Sequence, residues 1–130
     1  MKNKGSSTKD LRLLIKLKGY QQDLLRSLEE FGVQKSDDLK SLNVMVRRGM
    51  VQTVGDIFEL ISNMRVETQV ALEIDVDTIK RFRNIASHNY GAITNHFAYI
   101  SMRQCVSKKV VSNTQGMIDA MRKEVDGHTH

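Results

Sequence analysis

The residues with the clearest capacity for chemistry lie in residues 83–90, a segment that contains Arg83, Asn84, His88 and Tyr90. Metal-free cleavage of RNA needs a group that moves protons at the 2′-hydroxyl or the leaving 5′-oxygen. It also needs a fixed cation for the charge that builds on the phosphate. Histidine titrates in the suitable pH range, and arginine is always charged and can hold two phosphate oxygens at once. We therefore predict proton transfer by His88, phosphate stabilisation by Arg83 and a polarising or positioning role for Asn84.

The pattern of this segment is rare by chance only when all four residues are required together. An arginine followed by a histidine after four to six residues is expected by chance about 0.8 times in this chain. Adding the asparagine after the arginine and the tyrosine two residues after the histidine lowers that expectation to about 0.001. The alternative interpretation is structural. Arginine and histidine in the last turn of a helix gain about 0.3–1 kcal/mol from the helix dipole, and the Asn-Tyr-Gly that follows is a competent helix stop.

The charge around this segment is distributed unevenly. Residues 1–20 carry a net charge of +5 and residues 21–77 carry −5, whereas residues 78–118 contain no aspartate or glutamate and carry +6. An acid-free stretch in a chain that uses acids freely elsewhere indicates a surface that attracts anions, although a solvated basic face is the alternative. The predicted RNA-binding residues in this stretch are Lys80, Arg81 and Arg103.

Other kinds of site find little support in the sequence. There is no glycine-rich phosphate loop, and the four histidines are not spaced as metal ligands, so we expect no metal ion and no cofactor. Asp56 and Glu59 are more simply an exposed acidic helix surface than an acid–base pair. The single cysteine, Cys105, is expected in the core, with a reactive thiol as the alternative. With no apolar run near the length of a membrane span and no cysteine pair, we expect a soluble cytoplasmic protein.

The elements that position the motif are predicted to be helices. The chain contains no proline, and its apolar residues are spaced three and four apart. We expect a first helix capped by Ser7 or Thr8 and ended at Gly32. The residues predicted to line one stripe of this helix are Leu11, Leu14, Leu17, Gln21, Leu24, Leu25, Leu28 and Phe31.

A second helical run is predicted to start at Ser36 and to reach Met64. Gly49 and Gly55 lie inside it, so it is either one helix or a short helix followed by a longer one.

The motif helix is predicted to start at Asp75 or Asp77 and to stop near His88, because Asn89 and Gly91 are residue types that accept left-handed conformations. A last helical stretch then opens after the motif. Its predicted limits are Thr94 and Met121.

Four or five amphipathic helices with short connections pack most simply as an all-α, antiparallel up-and-down bundle. We expect residues 1–130 to form one domain, with residues 1–8 and 126–130 as flexible tails. Arg83 and His88 lie about 140° apart around an ideal helix, so one helix alone makes a poor active site. Two copies crossing at a two-fold axis would bring the arginine of one near the histidine of the other, which predicts a homodimer.

The motif Arg-Asn-x3-His-x-Tyr resembles that of the HepT-like toxins of the HEPN superfamily. The resemblance extends over most of the chain, with Arg47-Arg48 through Gly55-Asp56 in the place of the family's second helix, but only the motif is specific. Gly55-Asp56 stands where the family commonly has Gly-Glu. The resemblance implies an all-α homodimeric ribonuclease paired with a minimal nucleotidyltransferase, of the MntA type, as its antitoxin.

The function implied by this resemblance is that of a type VII-like toxin that cleaves RNA at a dimer groove without a metal ion. It also implies that the nucleotidyltransferase attaches AMP to Tyr90, where the added phosphate and adenosine would occupy Arg83 and repel RNA. The alternative for Tyr90 is a ring that only packs against the turn. The alternative for the whole protein is a non-catalytic helical module that binds RNA, a nucleotide or the partner nucleotidyltransferase.

Overall fold

A computed structural model describes residues 2–128 of the chain, and side chains are described for residues 7–127. Over these residues the chain forms six α-helices and no β-strand, which confirms the all-α prediction with more helices than the expected four or five. The helices are α1 (Lys2–Glu30), α2 (Val44–Ser62), α3 (Val66–Leu72), α4 (Val76–His88), α5 (Asn95–Cys105) and α6 (Lys108–His128).

The long helix α1 packs against both α2 and α6, and two polar contacts fix the directions. Ser7, near the start of α1, donates a hydrogen bond to Glu124, near the end of α6, at 2.9 Å. Asp10 accepts a hydrogen bond from Nε of Arg65, just beyond the end of α2, at 2.9 Å. Both neighbours therefore run antiparallel to α1, as the bundle prediction requires.

The core contains most of the predicted α1 stripe and the single cysteine. Leu25 and Phe31 of the stripe are exposed, at 37% and 43%. The cysteine prediction is confirmed, since Cys105 is a free and fully buried thiol. Burial raises the pKa of the Cys105 thiol far above its ordinary value, because desolvation penalises the thiolate. The buried members of the α1 stripe are Leu14, Leu17, Gln21, Leu24 and Leu28.

Four predicted helix boundaries are confirmed, one of which is the end of α4 at His88. Gly32 follows α1 with φ +64°, and the hydrogen bond from Val33 N to Leu28 O completes a Schellman turn. Asp75 caps α4, and Thr94 caps α5 by accepting the backbone N–H at position 97.

The two ends of the chain differ from the predicted flexible tails. α1 begins at Lys2 and α6 extends to His128, so most residues of both predicted tails are helical. Ser7 lies inside α1, where its side chain is buried against a glutamate of α6. Because α1 begins at Lys2, neither Ser7 nor Thr8 caps the helix. The hydrogen bond from Ser7 to Glu124 joins this end of α1 to α6. Residues 1, 129 and 130 of the predicted tails lie outside the described residues.

The second predicted run is broken before α2, and not at either of its glycines. Its first residues form a separate 3-10 helix, Ser36–Ser41. Asn43 then caps α2 by accepting the backbone N–H of Met45 at 2.8 Å. Gly49 and Gly55 both lie inside α2, where packing outweighs their low helix propensity.

Three further features depart from the prediction. The short helix α3 is additional, and the last predicted helix is divided into α5 and α6 at Ser107, whose hydroxyl accepts the backbone N–H of Val110 at 3.2 Å. Asn89 is extended, with φ −169°, because its side chain accepts the N–H of Gly91 at 2.9 Å and starts a new 3-10 turn. Neither residue is left-handed, so that part of the prediction is wrong.

Candidate active site

The motif helix α4 is held against α2 by its apolar face. Ile79 and Phe82 are buried, and the ring of Phe82 meets that of Phe58 on α2 edge-on, with centroids 5.2 Å apart. Asp75 begins the helix by accepting a backbone N–H at 3.0 Å. Because this face is buried, the other face is presented to solvent. The exposed residues on it include Arg83, Asn84, Ser87 and His88.

A groove of about 740 Å³ lies between α2 and α4, and we call it the Arg83 groove. His88 does not line this groove, which agrees with its position about 140° around the helix from Arg83. Three of the four motif residues are therefore brought together, and the histidine is left outside. The residues that line the groove include Lys80, Arg83, Asn84 and Tyr90, with Gly55 and Glu59 of α2.

Arg83 has an acidic partner inside the groove. Its Nη2 atom lies 3.4 Å from Oε1 of Glu59, and the two side chains are 48% and 60% exposed. An ion pair this exposed contributes less than about 1 kcal/mol. A phosphate can therefore replace the carboxylate at the guanidinium, and until then Glu59 keeps the guanidinium at the groove.

Tyr90 starts the 3-10 turn Tyr90–Ala92 after α4, and its ring packs between α4 and α2. The ring lies edge-on to Phe82, with centroids 6.2 Å apart and an interplanar angle of 78°. Its hydroxyl lies over Gly55, where a Cβ atom would overlap the hydroxyl oxygen. Gly55 therefore permits the close approach of Tyr90 to α2.

Arg47 ties the chain that follows Tyr90 to α2. Its Nε atom donates to Oδ1 of Asn95 at 2.5 Å, and its Nη2 atom donates to the backbone oxygen of Ile93 at 2.9 Å. Ile93 is buried, so these bonds fix the position at which the turn joins the bundle. The tyrosine is thus held from both of its flanking segments.

The other predicted RNA-binding residues lie in different surroundings. Lys80 lines the Arg83 groove. Arg81 has its guanidinium carbon 4.5 Å from the ring centroid of Phe97, a cation–π contact that holds it beside α5. Arg103 lies in the last turn of α5 and lines two other grooves, neither of which includes Arg83. The structure groups Lys80 with the motif and separates Arg103 from it.

A second groove of about 720 Å³ lies on the other side of Tyr90, and we call it the Arg48 groove. Leu39 and Val51 line it as buried apolar residues, and Tyr90 lines it as it lines the first groove. Among the residues that the structure describes, no aspartate or glutamate lines it. The cations that line it are Lys40, Arg47 and Arg48.

Sequence reasoning missed this groove because charge was summed over long segments. Residues 21–77 carry −5 in total, and that sum hides the adjacent pair Arg47 and Arg48. Helical spacing is the signal that could have found it. Residues 44, 47, 48 and 51 lie three or four apart and so share one face of a helix.

No family model, no curated protein and no solved structure matches this chain. Within the described residues, no three histidine, cysteine, aspartate or glutamate side chains are grouped as metal ligands. None of the helices in that part of the chain is long and apolar enough to cross a membrane. The motif side chains that line the Arg83 groove are the guanidinium of Arg83, the amide of Asn84 and the phenol of Tyr90.

Proposed function

We propose that this chain is a metal-independent endoribonuclease, a HepT-like toxin that acts as a homodimer and is controlled by a minimal nucleotidyltransferase antitoxin. The observation that carries the proposal is the grouping of Arg83, Asn84 and Lys80 on one groove. Two cations and an amide converge there, and His88 lies exposed at the end of the same helix. Such a set matches the needs of phosphate chemistry without a metal ion.

The reaction that these groups suit is attack by the 2′-hydroxyl of RNA on the adjacent phosphorus. One bond forms between the 2′-oxygen and phosphorus as the bond to the 5′-oxygen breaks, leaving a 2′,3′-cyclic phosphate and a 5′-hydroxyl. His88 moves the proton at the 2′-hydroxyl or at the leaving oxygen. Arg83 holds the non-bridging oxygens, and Asn84 positions the phosphate by hydrogen bonding.

The position of His88 supports the dimer part of the proposal. Arg83 faces the groove and His88 does not, so one protomer has no histidine at its own groove. A second copy related by a two-fold axis can supply it, and each groove then receives one histidine. The oligomer expected in light scattering has twice the 14.8 kDa mass of the chain.

The deciding experiment compares two histidines. We expect the purified protein to cleave single-stranded RNA in the presence of EDTA, and His88→Ala to reduce the rate by about 10²–10⁴. His96 is the matched control, because it is also exposed and lines neither groove. His96→Ala should retain activity, and both variants should retain the helical circular dichroism of the wild type. Cleavage that survives His88→Ala, or that needs added metal, contradicts the proposal.

Control by AMP transfer forms part of the same proposal. The Tyr90 hydroxyl would attack the α-phosphorus of ATP in the partner enzyme, forming a tyrosyl–phosphate bond and releasing pyrophosphate. The tyrosine lines both grooves, so the added AMP would lie among their cations and exclude RNA. Incubation with the nucleotidyltransferase, ATP and Mg²⁺ should add AMP masses to the Tyr90 peptide and stop cleavage. Equal inhibition of Tyr90→Phe would show that bound partner, and not modification, causes the inhibition.

A second candidate is a non-catalytic module that binds RNA, a nucleotide or the partner enzyme. Two observations favour it: the guanidinium of Arg83 is already paired with the carboxylate of Glu59, and His88 lies outside the groove of its own protomer. In that case RNA binds with the expected salt dependence but is not cut. The EDTA experiment separates the two candidates directly.

A further inference from the structure

α2 forms one wall of both grooves, and the side chain of Tyr90 lies against α2 at the boundary between the two grooves. Residues of α2 from Val44 to Val51 line the Arg48 groove, and those from Gly55 to Ser62 line the Arg83 groove. The hydroxyl of Tyr90 lies over Gly55, at the boundary between these segments. A ligand that follows this face of α2 therefore passes from one groove to the other beside the tyrosine.

The composition of the Arg48 groove suits a nucleotide. Its cations can hold phosphate, its apolar residues and the Tyr90 ring can contact a base, and it has no lining carboxylate that would repel the ligand. A protein or peptide partner would need acidic groups to match the cations, whereas a single-stranded RNA supplies one negative charge at every phosphate. The charge therefore favours RNA.

The three cations of this groove are not equally available. Arg47 is half-buried and already donates to Asn95 and Ile93, so it is committed to the loop. Lys40 lies 3.5 Å from Asp37 in a pair that is about 70% exposed. Arg48 is exposed and makes no hydrogen bond or ion pair within the described part of the chain. Arg48 and Lys40 are thus the groups that a phosphate can reach.

We propose that the Arg48 groove is a second subsite for the RNA strand whose scissile phosphate lies at Arg83, and this inference rests on the proposed function. Eleven residues separate Arg48 from Glu59, the partner of Arg83, which is roughly 16 Å along α2. A stacked strand advances about 3.4 Å per phosphate, so the two sites are about five phosphates apart. A dinucleotide reaches one groove at a time, and an octanucleotide spans both.

The experiment measures the binding of fluorescently labelled RNA in the His88→Ala background, which prevents cleavage. We expect an octanucleotide to bind more tightly than a dinucleotide, and the combined change of Lys40→Ala and Arg48→Ala to weaken octanucleotide binding about tenfold. The slope of log affinity against log salt should become shallower by about 0.7 for each phosphate that the variant no longer neutralises. Arg122→Ala removes an exposed arginine of α6 that lines neither groove, and should change neither quantity.

The outcomes distinguish failure of the subsite from failure of the function. The second subsite does not exist if the combined variant still binds the octanucleotide more tightly than the dinucleotide by the parent's ratio and keeps the parent's salt slope. That result would leave RNA cleavage by the wild type unaffected. If the parent protein neither binds nor cuts either RNA, both proposals fail. A second readout uses the active protein with Arg48→Ala alone. The subsite requires a loss in kcat/KM for the octanucleotide with cleavage of a dinucleotide unchanged, and an equal loss for both substrates overturns it.

Discussion

The two grooves beside Tyr90 share one face of α2 but present different groups. The Arg83 groove contains two cations, Lys80 and Arg83, with the carboxylate of Glu59 among them. The Arg48 groove contains three cations, buried apolar residues and, within the described part of the chain, no carboxylate. The first holds the amide and guanidinium of the motif, and the second holds none of the catalytic candidates. Under the proposed function, this difference would separate chemistry from strand binding along a single helix.

The grooves also differ in how complete they are within one protomer. Every group that we assign to RNA binding at the Arg48 groove belongs to the same chain. The Arg83 groove lacks the histidine that the proposed reaction needs, because His88 lies on another side of α4. A shared site at a two-fold axis is the arrangement that supplies it.

The largest effect is expected when two inactive variants are mixed, an experiment that tests whether the Arg83 groove takes its histidine from a partner protomer. Arg83→Ala and His88→Ala should each lose about 10²–10⁴ of the cleavage rate. If each groove takes its histidine from the partner protomer, a mixed dimer contains one intact groove. Unfolding and refolding an equal mixture should then restore about a quarter of the wild-type rate, since about half of the dimers are mixed and each has one intact site of two.

The control for this mixing experiment is each variant refolded alone, which should stay inactive. A mixture that also stays inactive, although light scattering shows dimers, would mean that no groove uses the histidine of its partner. The Arg48 groove offers the opposite case. Because its groups belong to one chain, mixing the Arg48→Ala/His88→Ala double variant with His88→Ala should restore no more octanucleotide affinity than the average of the two proteins.

A smaller effect concerns Tyr90, the residue that separates the grooves. Gly55→Ala places a methyl group where the tyrosine hydroxyl lies, whereas Gly49→Ala, two turns earlier in α2, meets nothing within 4 Å. Alanine is favoured over glycine in a helix by about 1 kcal/mol, so Gly49→Ala should stabilise the protein by up to that amount. Gly55→Ala should show a free energy of unfolding lower than that of Gly49→Ala by about 1 kcal/mol or more, measured by urea denaturation.

A double-mutant cycle locates the cause of that difference. The atom that a Cβ on Gly55 would overlap is the hydroxyl oxygen, and the nearest ring carbon is 3.4 Å away, an ordinary contact. Tyr90→Phe should therefore rescue most of the cost of Gly55→Ala. Costs that simply add in the double variant would show that Gly55 has another role. In the same series, Gly55→Ala should speed AMP transfer, because the displaced hydroxyl is more accessible.

The sequence was sufficient to predict the all-α class, the capping of α4 and α5 and the residues that end α1, since these depend on apolar spacing and on local hydrogen bonds. Asp75 and Thr94 each accept a hydrogen bond from a backbone N–H two or three residues later in the chain. Gly32 ends α1 through its own positive φ. The contact between the start of α1 and the end of α6 could not be predicted, because the hydrogen bond from Ser7 to Glu124 joins residues more than 110 positions apart.

The same limit applies to the candidate site. The types and spacing of Arg83, Asn84 and His88 identify the motif, and a helical wheel separates the histidine from the arginine. The contacts that shape the grooves cross between distant segments. Glu59 lies 24 residues before its partner Arg83, and Arg47 lies 48 residues before Asn95. Local periodicity holds no information about such pairs, so the role of Glu59 needed the fold. Helical spacing could have placed Arg47 and Arg48 on one face of α2, but the residues that other segments contribute to the Arg48 groove could not be predicted in this way.

The smallest expected effect concerns the one carboxylate that distinguishes the Arg83 groove from its neighbour. Glu59→Gln removes the charge 3.4 Å from the Arg83 guanidinium and leaves a side chain of the same size. An exposed ion pair is worth less than about 1 kcal/mol, so RNA affinity in the His88→Ala background should rise by about two- to fivefold at low salt and less at high salt. Glu67→Gln on α3 makes the same change in net charge at an exposed residue that lines neither groove. If both variants tighten binding equally, the gain comes from net charge alone. A gain confined to Glu59→Gln means that RNA and Glu59 compete for the same guanidinium, so that the acid makes the Arg83 groove the weaker of the two for RNA.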